Sequence, residues 1–230
     1  MTKVVMYSAM ELRRFFFETS PFSSLPPEEI ARLAEVAQKR PVSQGERLFA
    51  EGDQAGTTYT VMDGQVQITR SSSDGKPWTI EVLRPGEIFG CVGCVAKGEY
   101  PCGAVAGSDV TVVALPLPVV ASLLEKYPAF SRALYWDMSR RMREAQKLRT
   151  LGTESVEKRI AAVLLWLEGK FGPTLPFTRQ AIAEMASTTP ESAIRALIHF
   201  RRRGFIKTGW KRITLQKSTA LRELLDGVGV

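Results

Sequence analysis

The dipeptide Thr189-Pro190 admits one helical reading. Inside a helix, proline breaks a backbone hydrogen bond. At the first helical position its missing N–H costs nothing. Thr189 is a good N-cap, because its hydroxyl accepts from an orphan N–H of the first turn. A helix therefore begins at Pro190. Arg201-Arg202-Arg203 and then Gly204 close it, with positive charge at the end that suits the helix dipole. Just upstream, Thr178-Arg179-Gln180-Ala181-Ile182-Ala183-Glu184-Met185-Ala186 reads as a second, shorter helix, so the stretch predicts two helices joined by a tight turn. Ser187 stands in that turn, where a positive φ is expected and costs a residue with a side chain something.

Glu191 and Arg195 lie four residues apart and share a face of the second helix. Ala193, Ala196 and Leu197 lie on the opposite face, placed to pack on Ile182, Ala183 and Ala186. A guanidinium can fork onto guanine O6 and N7, and a carboxylate can accept from cytosine N4. The bland reading is a helical hairpin in a core with a solvated Glu191–Arg195 pair. Phe205-Ile206-Lys207-Thr208 and Lys211-Arg212-Ile213-Thr214-Leu215, two strands around Gly209-Trp210, count against it. They make a basic β-wing, and the whole reads as a winged helix-turn-helix. The candidate DNA contacts are Thr178, Arg179, Gln180, Thr189, Glu191, Ser192, Arg195, Arg201, Arg202, Lys207 and Lys211.

Charge agrees. Residues 1–138 carry 13 Lys+Arg against 16 Asp+Glu, net −3, and residues 139–230 carry 18 against 8, net +10, together the +7 of the whole chain. A basic half beside an acidic half is the footprint of phosphate contact confined to one region. No apolar run approaches the roughly 18 residues that span a bilayer. Met1–Met6 is too short and mixed for a signal peptide, so a soluble cytoplasmic protein with no membrane partner is expected. Three cysteines, an odd number, argue against a disulfide framework.

The N-terminal half reads as β. From Val42 to Leu115, short alternating runs are punctuated at Gly45, Gly52, Gly56, Gly64, Gly75, Gly86 and Gly90. Tyr59–Met62 and Val66–Thr69 read as two strands of a hairpin around Asp63-Gly64. Thr79–Leu83, entered through Asp74-Gly75-Lys76-Pro77, and Val110–Leu115 are further strands, and Leu25–Glu29 opens a short helix carrying Ile30, Leu33 and Val36. Strands this short suggest a small antiparallel barrel or sandwich. From Pro128 to Leu151 a long helix is expected, with Leu134, Met138, Met142, Ala145 and Leu148 averaging 3.5 residues apart, the period of a two-helix seam. Arg140, Arg141, Arg143 and Glu144 fall off that seam and are expected to be solvated.

Leu48–Ala55, Tyr59–Ile68, Asp74-Gly75-Lys76, Leu83–Gly90 and the helix-turn-helix stand in one order, and with them the chain resembles the CRP/FNR superfamily of bacterial transcription regulators. The resemblance covers residues 20–216 and implies an α+β fold. An N-terminal antiparallel, cyclic-nucleotide-binding-like β-roll would occupy residues 1–127, a long dimerisation helix 128–151, and a C-terminal winged helix-turn-helix 152–230. It implies a homodimer on double-stranded palindromic DNA, since two recognition helices about 34 Å apart read successive major grooves. RNA polymerase would be a partner if the protein activates.

In family members that bind cyclic AMP, a Gly-Glu pair contacts the ribose and an Arg-Ser pair clamps the phosphate. Here those pairs are Gly90-Cys91 and Pro101-Cys102, with Lys97 the nearby base. Without the acid and the guanidinium the phosphate loses its bidentate partner, so an effector other than cyclic AMP is expected. Its site would be lined by Ile88, Phe89, Gly90, Cys91, Val92, Tyr100, Pro101, Cys102 and Gly103, with Leu134 and Met138 of the long helix as a lid. Cys91, Cys94 and Cys102 lie within twelve residues, which opens an alternative switch by thiol redox or by a metal, iron–sulfur cluster or haem. The single histidine, His199, lies far from them in sequence, and three thiolates leave a tetrahedral metal one ligand short, so no metal is assigned. His199 itself reads as a phosphate contact or a helix-end charge. With no paired acids and no Cys–His or Ser–His partnership, no enzyme is expected. A rival of another class is an effector-binding module whose helix-turn-helix contacts only protein.

Overall fold

The computed structural model describes residues 9–71, 77–91, 98–209 and 212–226. Two compact units divide after Arg141, inside the long helix, with Trp78–Glu81 grouped with the second.

The first unit opens with α1 (Ala9–Glu18) and α2 (Pro27–Val36), whose buried faces are Leu12 and Phe16, and Ile30, Leu33 and Ala34. Eight strands follow: β1 (Gln38–Val42), β2 (Arg47–Phe49), β3 (Thr57–Asp63), β4 (Val66–Ser71), β5 (Pro77–Leu83), β6 (Ile88–Phe89), β7 (Gly103–Ala106) and β8 (Val110–Pro116). They form two four-stranded sheets, ordered β1-β8-β3-β6 and β2-β7-β4-β5. Then come α3 (Leu117–Lys126) and α4 (Pro128–Thr150).

The expected hairpin at Asp63-Gly64 is corrected. β3 pairs with β8 and β6, whereas β4 pairs with β7, so the turn carries the chain from one sheet to the other. Gly64 has φ +78, and a Cβ there would stand 2.4 Å from the carbonyl oxygen of Asp109. The glycine is needed for backbone approach to the 108–109 turn as well as for its own turn geometry. The Asp74–Lys76 turn lies outside the described residues.

The stripe expected to pair two copies of α4 is also corrected in part. Leu134 is 6% exposed, and with Phe130 it packs into a core shared with α1, α2 and α3, against which Met138 also rests. Met142 is exposed. Nor are the polar residues beside the stripe simply solvated. Arg140 meets the buried Glu87 at 3.4 Å, Arg141 donates to the carbonyl of Ile88 at 2.7 Å, and Glu144 accepts from Trp166 Nε1 at 3.2 Å.

The second unit continues from α4 through a 3-10 turn (Leu151–Thr153) into α5 (Val156–Phe171). Then come β9 (Thr174–Leu175), α6 (Arg179–Met185), α7 (Pro190–Arg202), β10 (Ile206–Gly209), β11 (Arg212–Leu215) and α8 (Ser218–Glu223). The wing is a three-stranded antiparallel sheet, β10-β11-β9, with one more strand than the residue pattern showed. Its core joins Ile160, Leu164 and Leu167 of α5 to Ile182, Ala196, Leu197, Phe200 and Ile213. Among the described residues no helix is long and apolar enough to cross a membrane.

Candidate nucleic-acid interface

Both helices of the motif start as the residue pattern predicts. The Thr178 hydroxyl accepts from Ala181 N at 3.1 Å, and the Thr189 hydroxyl accepts from Ser192 N at 3.2 Å, with Pro190 in the first turn. The end of α6 holds the turn. Ser187 takes φ +50, Thr188 N donates to Ala183 O, and Ser187 N donates to Glu184 O, each at 3.0 Å. This is the paired bonding of a Schellman motif, with serine where glycine is usual. The end of α7 repeats it. Phe205 N donates to Phe200 O at 2.9 Å, Gly204 N donates to Arg201 O at 3.0 Å, and the Phe200 and Phe205 rings stand 6.2 Å apart across the cap.

Of α7, Ala193, Ala196, Leu197 and Phe200 are buried, while Glu191 and Arg195 are exposed and Ser192 half-buried. The helix therefore presents its polar face outward. Thr178, Arg179, Gln180, Thr189, Arg201, Arg202 and Lys207 are also exposed. Gln180 donates to Glu184 along α6 at 2.9 Å. Lys211 lies outside the described residues. A concavity between the start of α6 and the wing is lined by Thr178, Arg179, Thr208 and Arg212, which places Thr208 and Arg212 beside two of the expected contacts. Two residues of α5 were not marked by any short motif. Arg159 donates from Nη1 to the carbonyl of Ser187 at 3.1 Å, and Glu157 meets His199 Nδ1 at 2.7 Å. His199 is thus engaged with α5. Linear motifs could not reveal either contact, because the partners are 28 and 42 residues apart.

The residues expected around an effector separate. On β6 successive side chains alternate across the strand. Ile88 packs with Cys91, Leu134 and Met138 in the core beneath the helices. Phe89 faces the interior of the roll with Tyr100, and Cys102 rests against that second core. There the Phe49 and Tyr100 rings stack with centroids 3.8 Å apart, and Tyr59 and Phe89 lie 5.3 Å apart. The Tyr100 hydroxyl donates to Thr57 O at 2.6 Å and accepts from Thr57 N at 3.1 Å, and burial pushes its pKa up. Gly90 and Gly103 are backbone approaches: a Cβ would come within 3.0 Å of Thr57 O at the first and 2.9 Å of Thr69 Oγ1 at the second. Pro101 is exposed. Val92, Cys94 and Lys97 lie outside the described residues. Cys91 and Cys102 belong to different cores, and among the described residues no cluster of three or more His, Cys, Asp or Glu is placed to hold a metal.

Comparison with known proteins places both halves. Residues 39–127 match the family described as cyclic nucleotide-binding domain, and residues 158–224 match the Crp-like helix-turn-helix domain. The chain is 30% identical over 209 residues to the cyclic AMP receptor protein of Thermus thermophilus, covering 90% of this chain and 97% of that relative. It is 27% identical over 214 residues to the transcriptional activator protein anr of Pseudomonas aeruginosa, covering 89% and 87%. In fold it is similar to FixK2 from Bradyrhizobium japonicum, with TM-score 0.74 and 22% identity over 82% of this chain and 97% of that one. It is also similar to TTHB099, a CRP-family transcriptional regulator from Thermus thermophilus, with TM-score 0.69 and 24% identity over 80% and 95%.

Proposed function

The chain belongs to the CRP/FNR family of transcription regulators, and from that premise we propose that it is a homodimer that binds palindromic DNA sequence-specifically and answers to an effector other than cyclic AMP. Its relatives are transcriptional regulators and not enzymes. The observation that carries the DNA reading is α7: a capped helix, buried through Ala193, Ala196, Leu197 and Phe200, that turns Glu191 and Arg195 outward. Glu191 and Arg195 read base edges. Thr178, Arg179, Gln180, Thr189, Ser192, Arg201, Arg202, Lys207 and Lys211, joined by Arg212, position the protein on phosphates.

Dimerisation uses α4. Leu134 and Met138 serve the protein's own core, so the pairing face is the one through Tyr135, Ser139, Met142 and Gln146, at steps of four, three and four along the helix. Tyr135 is 75% and Met142 58% exposed in the single chain, surface that a second copy of the helix would cover. Cyclic AMP is disfavoured because Cys91, packed in an apolar core, stands where the ribose-binding carboxylate is needed, and Pro101 stands where the guanidinium of the phosphate clamp is needed.

A gel shift with a palindromic probe, run at two salt concentrations, tests the reading. A specific complex whose affinity falls with salt supports it. Equal affinity for scrambled DNA overturns it. Titration with cyclic AMP should leave the affinity unchanged.

A further inference from the structure

We propose that Ile194 of α7 is a third base-reading residue, and that what it reads is the C5-methyl group of a thymine in the major groove. This deepens the DNA reading given above and rests on it.

The side chains of α7 divide by direction. Its core-facing set is Ala193, Ala196, Leu197 and Phe200, none more than 3% exposed. At 3.6 residues per turn, Glu191, Arg195 and Ile198 point about 150° or more away from the mean direction of that set, and Ile194 about 110°. Ile194 and Ile198 are half-buried, neither part of the core nor fully solvated. On a face that met only water, a β-branched residue would serve the helix less well than alanine, lysine or glutamate.

A recognition helix meets base edges with its N-terminal residues. In the first two turns of α7 the choices are few. Pro190 carries no side-chain donor or acceptor. Ser192 is turned back to the cap: its hydroxyl accepts from the Thr189 hydroxyl at 3.1 Å, and its backbone N donates to the same hydroxyl at 3.2 Å. Ala193 is buried. That leaves Glu191, Ile194 and Arg195, at i, i+3 and i+4, the spacing that keeps side chains neighbours on one helix face. Ile198 lies one turn further on.

The chemistry of the side chain selects the base. An isoleucine can neither donate nor accept, and the one apolar group that base edges present in the major groove is the thymine methyl. Against any other base edge, Ile194 would displace water from polar groups without replacing their hydrogen bonds. Against the methyl, two apolar surfaces leave water together. Branching at Cβ also holds χ1 in one favoured rotamer within a helix, so the side chain is set before DNA arrives. The reading face then combines an acceptor, an apolar contact and a bidentate donor.

The test is binding-site selection with the full chain, followed by gel shifts in which each thymine of one half-site is replaced singly by uracil, which lacks only that methyl. At one thymine the replacement should weaken wild-type binding about fourfold, the worth of one buried methyl. Ile194→Ala should weaken the natural site by a similar factor and should bind thymine and uracil equally at that position. Alanine is a strong helix former and Ile194 stands outside the core, so the variant should fold. Ile198→Ala should keep the wild-type gap between thymine and uracil. Wild-type protein that binds every uracil site as tightly as the thymine site overturns the assignment without recourse to any variant. An Ile194→Ala protein that keeps the gap, or an Ile198→Ala protein that closes it, overturns the assignment as well. A specific site with no methyl dependence overturns only the role of Ile194. A chain that selects no site, or that binds scrambled DNA as tightly, overturns the DNA reading and this role with it.

Discussion

Arg159 on α5 reaches across the helix-turn-helix and donates to the carbonyl of Ser187, the residue that holds φ +50 in the turn. A non-glycine residue in this region stores on the order of 1 kcal/mol or more. The hydrogen bond supports the strained turn from outside, and with it the angle between α6 and α7.

Ser187→Gly should therefore stabilise the protein, and Arg159→Ala should destabilise it. The cost of Arg159→Ala should be smaller in the glycine background. A double-mutant cycle by denaturant unfolding should give a coupling of about 0.5–1 kcal/mol. Strict additivity would show that the two residues act independently.

Base reading is assigned to Arg195 and Glu191. Arg195→Ala should weaken the specific site by roughly 1–3 kcal/mol and relax preference at one base. Glu191→Ala should relax a neighbouring cytosine preference with a smaller loss, since phosphate repels a carboxylate. Binding-site selection with both variants checks this, and wild-type preferences in both would reassign the reading face.

Arg179 and Arg212 share a concavity between α6 and the wing. Neutralising either one should weaken all sequences alike and lower the salt slope of binding by about one unit. An unchanged slope places that arginine off the DNA.

Tyr135 and Trp136 are 75% and 65% exposed on α4. Tyr135→Glu, on the proposed pairing face, should shift the protein from dimer to monomer in sedimentation equilibrium, while Leu134→Ala should lower stability by about 2–5 kcal/mol as a core truncation. The reverse pattern would restore Leu134 to the seam.

Burial raises the Tyr100 pKa above its ordinary value, outweighing the backbone bond from Thr57 N that favours the phenolate. The folded state thus holds the proton more tightly than the unfolded chain. The associated stability is complete below about pH 10 and is lost as pH rises through the raised folded value. Unfolding free energies measured from neutral into alkaline pH should fall less steeply in Tyr100→Phe than in wild type. Parallel limbs in the two proteins would assign the alkaline loss to other groups.

The features legible along the chain are local ones. Thr178, Thr189 and Pro190 set the starts of α6 and α7, Gly204 set the stop, and the spacing of Ala193, Ala196 and Leu197 chose the buried face. These choices are made within one or two helical turns, where side chain and backbone are close in sequence. Tertiary structure decided the rest. Asp63-Gly64 marks a turn in any fold, but whether the strands beside it pair with each other depends on β7 and β8, some forty residues further on. The apolar stripe of α4 reads equally as a dimer seam or a core face. It became a core face at Leu134 and Met138 because α1, α2, α3 and β6 supply the partners. The Arg159–Ser187 bond, the division of Ile88 from Phe89, and the Arg140–Glu87 contact have the same origin. Each joins groups brought together only when distant segments pack, and the free energy that selects them comes from burial shared across the whole core and leaves no periodicity along the chain.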